Sequence, residues 1–297
     1  MNYKKFLKNK ETRLKILNAL KWIPDKEMIK LQYRIHMSRK LSLKDPQRYT
    51  EKLQWYKLYY RDALMTQCAD KYAVRKYIKS KGYGSILNEL YGVYDRVDKI
   101  DFDKLPNKFV LKTTNGSSTN IFCKDKKMLN VENVKEQLNK WMKNKGKSFG
   151  REWAYDNISP KIICERYLED SEGEGINDYK FICFNGRVEI IVIDKGRFSH
   201  HVRNFYDRNW NYLDVYSDHS NFGDNMERPE FIDEMIDIAE ILAKDFPTVR
   251  VDLYYVNNKT YFGELTFYPW GGYVNFYPDK FDYIMGEKFI LPNKKGC

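Results

Sequence analysis

No run of apolar residues approaches the roughly 20 that a membrane-crossing helix needs, so a helical span is not expected. The first 20 residues are studded with Lys and Arg where a secretory leader would carry its apolar core, and the chain reads as cytosolic. Cysteine is sparse: Cys68, Cys123, Cys164, Cys183 and Cys297 lie far apart, contain no CxxC pair and are odd in number. That spacing argues against both a zinc site and a disulfide framework. Three of them sit in apolar segments, at Phe122-Cys123, Ile163-Cys164 and Ile182-Cys183-Phe184, where a small buried thiol is the ordinary explanation. The GxxxxGK pattern of a Walker loop is missing, and no internal repeat or low-complexity tract is evident.

Large side chains are plentiful. Aromatics make up 16% of the 297 residues, with 24 Tyr and 17 Phe, and the hydrophobic fraction is 42%. A disordered chain rarely carries such residues. The length suits one large or two modest domains, each with a core of its own.

The formal charge of +11 is local. Residues 1–50 hold 14 Lys and Arg against 4 Asp and Glu, and the remainder is almost neutral. Such a basic arm suits an anionic membrane surface, an acidic polymer or nucleic acid, and a solvated helical face has the same composition. Helical spacing over 12–22 and 26–37, interrupted by Pro24, predicts a basic helical region. Helices over 50–60 and 63–80 follow, with Gly82 and Gly84 ending the second.

From about residue 108 short β-rich runs take over: 109–112, 120–123, 162–167, 179–184, 188–193, 249–255 and 261–267. Asn185-Gly186 and Asn257-Asn258 signal hairpins between paired runs. Helices are predicted at 131–144 and 230–244. The expected class is α+β, divided into a basic helical region (1–62), a small lobe (63–160) and a larger lobe (161–297).

Four stretches carry the chemistry. Strand 109–112 ends in Lys112 and runs into Thr113-Thr114-Asn115-Gly116-Ser117-Ser118-Thr119. A small polar loop of this kind can turn its N–H groups on phosphate oxygens while Lys112 supplies a point charge, although a plain hairpin looks the same. Alternation places Arg250 and Asp252 on one face of their strand, and Glu264 and Thr266 on one face of the next. Pairing through the 257–259 turn brings the two carboxylates together, an oxygen set that suits Mg²⁺ against nucleotide phosphates; a charge cluster neutralised by Arg250 is the plainer alternative. The third stretch is the apolar strand that exits through Glu165, Arg166, Tyr167, Leu168 and Glu169. The fourth holds Lys180, followed by His200-His201-Val202-Arg203, in which Arg203 suits a phosphate or carboxylate clamp and the histidines suit a structural or surface role.

In order, these segments resemble the ATP-grasp superfamily and, within it, the TupA-like branch, named for teichuronopeptide biosynthesis and found among polysaccharide-synthesis functions. The likeness runs from Thr50-Glu51-Lys52-Leu53-Gln54-Trp55, through Ala69-Asp70-Lys71-Tyr72-Ala73-Val74-Arg75, to Gly263-Glu264-Leu265-Thr266-Phe267-Tyr268-Pro269. It implies two α+β lobes clamping ATP. Lys112 would be the phosphate-binding lysine and 113–119 the lid, with Lys71 as a further nucleotide contact. Residues 165–169 would hold adenine and ribose, and Lys180 would meet the phosphates. Asp252 and Glu264 would be the Mg²⁺ carboxylates, with Thr266 standing where many members have a metal-binding Asn. Lys112, Lys180, Arg203 and Arg250 would stabilise the transferring group.

The implied reaction is amide ligation through an acylphosphate. The acceptor would be an acidic glycan or small molecule, such as a uronic-acid or amino-acid carboxyl of a surface polysaccharide precursor. The basic arm would touch glycan or an anionic membrane, and no nucleic acid is expected. A sugar kinase or a glycosyltransferase of surface polysaccharide synthesis is the alternative, for which Asp101-Phe102-Asp103 is the sole Asp-x-Asp match.

Overall fold

The computed structural model describes residues 20–143, 148–169, 176–196, 200–223 and 226–296. Most of the helix expected over 12–22 lies outside these residues, and 20–22 form a turn. Four helices open the described chain: α1 (Asp25–Met37), α2 (Tyr49–Tyr59), α3 (Ala63–Ala69) and α4 (Val74–Ser80). The single helix expected over 63–80 is broken because Asp70 Oδ1 accepts from the N–H groups of Tyr72 and Ala73 at 2.7 and 2.8 Å. A short polar side chain that bonds nearby backbone competes with the helix in this way.

Strands β1 (Leu90–Tyr94), β2 (Phe109–Thr113), β3 (Asn120–Cys123) and β4 (Ile162–Arg166) form a four-stranded antiparallel sheet in the order β1-β4-β2-β3. Helix α5 (Val131–Met142) covers one face, where Val134 and Leu138 pack with Phe109, Leu111, Ile162 and Cys164. Asn130 caps it, its side-chain oxygen accepting from the Asn133 N–H at 3.0 Å. Strand β4 belongs to this sheet, one element beyond the point where the sequence places the start of the larger lobe.

The second sheet is six-stranded and antiparallel, in the order β10-β9-β5-β6-β7-β8. It comprises β5 (Asp178–Phe184), β6 (Arg187–Lys195), β7 (Val202–Asp207), β8 (Tyr212–Leu213), β9 (Thr248–Val256) and β10 (Lys259–Thr266). Helix α6 (Ile232–Ala243) packs on β5, β6 and β9 through Met235, Ile238, Ala239 and Leu242. Both hairpin turns have paired positive φ, 51° and 79° at Asn185-Gly186, 50° and 56° at Asn257-Asn258. These values match the twist of the flanking strands. Helix α7 (Lys280–Lys288) closes the chain against α2, and α1 packs on α2 through Ile29, Tyr33, Met37 and Leu58. Among the described residues no helix is long and apolar enough to cross a membrane.

Candidate active site

Strand register builds the site. In the six-stranded sheet Glu264 lies opposite Asp252 and Thr266 opposite Arg250. Asp252 in turn lies opposite Lys180, Asp178 opposite Asp194, and Asp194 opposite Arg203. Cross-strand partners share a face, so a continuous row of charge crosses β10, β9, β5, β6 and β7 on the face away from α6. A bulge between Phe262 and Glu264 sets the last carboxylate in place. Gly263 permits it, because a Cβ there would stand 2.9 Å from both the Asp252 carbonyl oxygen and the Tyr254 ring.

The row is held by ion pairs. Arg250 grips Asp252 through two bonds of 2.6 Å, and its second nitrogen also reaches Thr266 Oγ1 at 3.2 Å and Glu264 Oε1 at 3.4 Å. Thr266 Oγ1 donates to Glu264 Oε1 at 3.0 Å. Lys180 Nζ sits 2.7 Å from Asp178 Oδ2 and 3.0 Å from Asp194 Oδ2. Arg203 donates to Asp194 at 2.5 and 3.2 Å and also pairs with Asp218. His201 Nε2 lies 3.2 Å from Asp194, and its ring packs on His219 with centroids 3.7 Å apart.

These contacts set the protonation states. Burial works against the Arg250 charge, yet Asp252 outweighs it and holds the guanidinium cationic. Burial also raises the Asp194 carboxyl, but Arg203 and Lys180 overcome it and leave it well below the usual carboxylate range. For Glu264 the burial effect is likewise reversed, here by Lys71 and Arg250, so its pKa is lowered.

On the four-stranded sheet Lys112 and Glu165 share the face away from α5, joined by a 2.8 Å bond. Arg75 NH1 meets the other Glu165 oxygen at 3.2 Å. The loop after Lys112 is cross-braced: Thr113 N–H donates to the Thr119 carbonyl at 3.2 Å and Thr113 Oγ1 to Thr119 Oγ1 at 2.7 Å. A Cβ on Gly116 would overlap the Thr119 side chain. Ser117 and Ser118 are exposed and Asn115 half-buried.

One side chain ties the sheets together. Lys71 donates to the Gly116 carbonyl at 2.7 Å and stands 3.8 Å from Glu264 Oε2. The Arg166 guanidinium adds a second tie, donating to the Tyr261 hydroxyl at 2.8 Å. Past it, Tyr167 and Leu168 are half-buried, and Glu169 meets Lys108 at 2.7 and 2.8 Å. Asp101-Phe102-Asp103 forms a surface turn in which Asp101 pairs with Lys104 at 2.9 Å.

The sequence reading passed over Asp194 and Asp218, and gave Arg75 and Asp178 no role. Asp178 and Asp194 were signalled by alternation, standing respectively two residues before Lys180 and beside the apolar run 188–193. Asp218 sits in a polar loop with no such signal.

A model of the TupA-like ATP-grasp family matches residues 51–290. The chain belongs to the TupA-like ATP-grasp family. Among solved structures it is similar to D-alanine–D-alanine ligase from Bacillus anthracis complexed with ATP, at 14% identity over 73% of this chain and 56% of that one, with a TM-score of 0.41. Phosphoribosylamine–glycine ligase from Thermotoga maritima is 11% identical over 70% of this chain and 49% of that one, TM-score 0.42. The ATP-grasp ligase PsnB, in complex with a precursor variant, Mg and ADP, is 9% identical over 74% and 57%, TM-score 0.39. The TupA-like chain thus spans less than two-thirds of the length of each. No curated protein matches it.

Proposed function

We propose that this TupA-like ATP-grasp chain is an ATP-dependent carboxylate–amine ligase, with the nucleotide held between the four-stranded and six-stranded sheets. The observation that carries this reading is the Asp252–Glu264 pair, joined through Lys71 to the Gly116 loop beside Lys112.

The residues fit Mg²⁺. Two carboxylates and a hydroxyl offer oxygen donors, and Glu264 Oε2 lies 3.8 Å from Lys71 Nζ. Among the described residues no cluster of three or more His, Cys, Asp or Glu forms an all-protein cage. Mg²⁺ commonly binds through one or two carboxylates, with phosphates and water completing its shell. When bound, it would neutralise the β- and γ-phosphate oxygens.

The protein's own groups would position and stabilise. Lys112, Lys71 and the N–H groups of 113–118 would cradle phosphate, and the backbone of 165–169 would hold adenine and ribose. Lys180, Arg203 and Arg250 would face the charge of the transferring phosphoryl group. A carboxylate oxygen attacks the γ-phosphorus as the bond to ADP breaks; an amine nitrogen then attacks the acyl carbon, phosphate leaves and the amine gives up a proton.

By family likeness the acceptor is a uronic-acid or amino-acid carboxyl of a surface polysaccharide or its precursor, met at the cytosolic membrane face. The division at 62/63 belongs to the same proposal, and that at 160/161 falls just ahead of β4, the last strand of the four-stranded sheet. Hydroxylamine trapping tests the reaction class. ADP release with hydroxamate formation supports ligation, phosphorylated sugar supports a kinase, and UDP release from a UDP-sugar supports a glycosyltransferase.

A further inference from the structure

Helix α2 is polar on several sides and nevertheless buried. Thr50 and Gln54 are 0% exposed, Lys57 1% and Glu51 7%. Enclosing an amide or ammonium group away from water is unfavourable unless it is well partnered, and apolar residues serve packing at least as well. Most of these polar side chains reach the last stretch of the chain. Thr50 Oγ1 donates to Asp282 at 2.8 Å, and Lys52 donates to the carbonyls of Gly286 and Phe289 at 2.7 and 2.9 Å. Gln54 Nε2 donates to the carbonyls of Gly271 and Gly272 at 3.1 and 2.9 Å. Lys57 Nζ donates to the same Gly271 carbonyl at 2.7 Å and to that of Gly150 at 3.1 Å.

Gln54 and Lys57 thereby hold a strained turn. Trp270, Gly271 and Gly272 are all left-handed, with φ of 53°, 63° and 68°. A tryptophan is disfavoured in that region because its Cβ crowds the backbone, so surrounding contacts must enforce it. A Cβ on Gly272 would overlap the Gln54 amide, which shows how closely helix and turn approach. Lys57 also faces the rings of Tyr273 and Tyr268 at 4.7 and 5.8 Å, with Glu152 Oε1 at 3.9 Å.

The location of the turn suggests its use. Lys71, which also holds the Gly116 carbonyl, and Arg166 meet β10 at Glu264 and Tyr261, the edge assigned above to nucleotide. The turn begins four residues beyond Thr266, and the Trp270 ring lies 5.6 Å from the Arg203 guanidinium on β7, toward the opposite end of the row.

We infer that Lys57 and Gln54 are positioning residues: through the Gly271 carbonyl they hold the Trp270–Gly272 turn against Arg203 and so shape the acceptor end of the site, leaving the nucleotide end unchanged. The inference rests on the ligase reading for its functional half only.

The test compares Gln54→Leu, Lys57→Met, the double variant and Lys57→Arg with the wild-type chain by hydrogen exchange, MgADP calorimetry and thermal unfolding. Amides of 270–273 should exchange at least tenfold faster in Gln54→Leu and in Lys57→Met. The double variant should show less than the product of the two effects, since both act on one carbonyl. Lys57→Arg, which keeps the donors, should regain protection, and the MgADP dissociation constant should stay within twofold throughout. Unchanged exchange at the turn would overturn the inference. So would a loss of protection spreading into β9 and β10 together with weakened MgADP binding, the mark of a merely structural contact. Should Lys57→Met not fold, Gln54→Leu, which strands no charge, decides the same question. Failure of the wild-type chain to bind MgADP would overturn the ligase reading, and with it the functional half, whereas the exchange data judge the positioning on their own.

Discussion

Replacing the two candidate metal carboxylates by their amides should separate stability from turnover. Asp252 is 4% exposed, and both its oxygens are taken by Arg250 at 2.6 Å. Asp252→Asn therefore breaks a buried pair, a loss of about 3–5 kcal/mol when nothing compensates. Glu264 Oε1 and Thr266 Oγ1, already 3.4 and 3.2 Å from the same guanidinium, retain part of it. A loss near 3 kcal/mol is expected, or about 5 °C in Tm for a chain of 297 residues.

Glu264 differs, because its side chain is 40% exposed and its cationic partners stand at 3.4 and 3.8 Å. Glu264→Gln should cost under about 1 kcal/mol, as exposed pairs do. Turnover should nonetheless fall by about 10²–10³ in both variants, the scale of losing a principal electrostatic group. Thermal unfolding and Mg²⁺-dependent ADP release on the same preparations give the answer. Turnover that follows stability, with Glu264→Gln close to wild type, would refute the metal-site assignment and leave a structural charge cluster.

Lys112→Ala should weaken MgADP binding at least tenfold by calorimetry without unfolding the chain, since Glu165 keeps Arg75 at 3.2 Å. Deleting residues 1–19, which hold six Lys and Arg against one Glu, should reduce binding to anionic vesicles and spare nucleotide binding. The deletion stops there because Arg151 donates to the carbonyls of Leu20, Lys21 and Ile23. Burial lowers the Lys57 pKa to about 8, against 10.5 for an ordinary lysine, so between those values the unfolded chain binds the extra proton and stability rises with pH. Urea unfolding at pH 7.5 and 9.5 should therefore show the wild-type chain gaining on Lys57→Met as pH increases. Cys68, Cys123, Cys164 and Cys183 are buried, and native protein should react with a thiol reagent at these positions only as fast as it unfolds.

Periodicity and turn chemistry made much of the fold legible. Helices over 131–142 and 232–243, the strand 120–123 and both Asn-based hairpins stand close to where alternation and apolar spacing place them. Strand β7 was missed because Arg203 and Asn204 are polar and leave no apolar alternation to read, whereas ion pairing to Asp194 and bonding to the Gly223 carbonyl let both be buried. Strand β1 has Gly92 at its centre and no buried residue, so it offers neither alternation nor a core run. The turn 269–272 looks from its residues like an ordinary Pro-Gly loop. Its left-handed path depends on Gln54 and Lys57, more than 200 positions away, and local sequence cannot report that.

The site is electrically closed before any ligand arrives. Lys71, Arg75, Lys112, Lys180, Arg203 and Arg250 are matched by Glu165, Asp178, Asp194, Asp218, Asp252 and Glu264, so the charges of these twelve groups cancel and each of these six cations has an acid beside it. On the proposed reading a polyphosphate would be admitted by exchange, much as on an ion-exchange resin: each lysine or arginine turning to phosphate would release a carboxylate for a cation brought in with the nucleotide. Little long-range attraction is at work, and contact pairs are screened less than distant charges. Raising salt should therefore leave nucleotide affinity nearly level while it strips the basic N-terminal residues from anionic surfaces, two salt responses within one molecule.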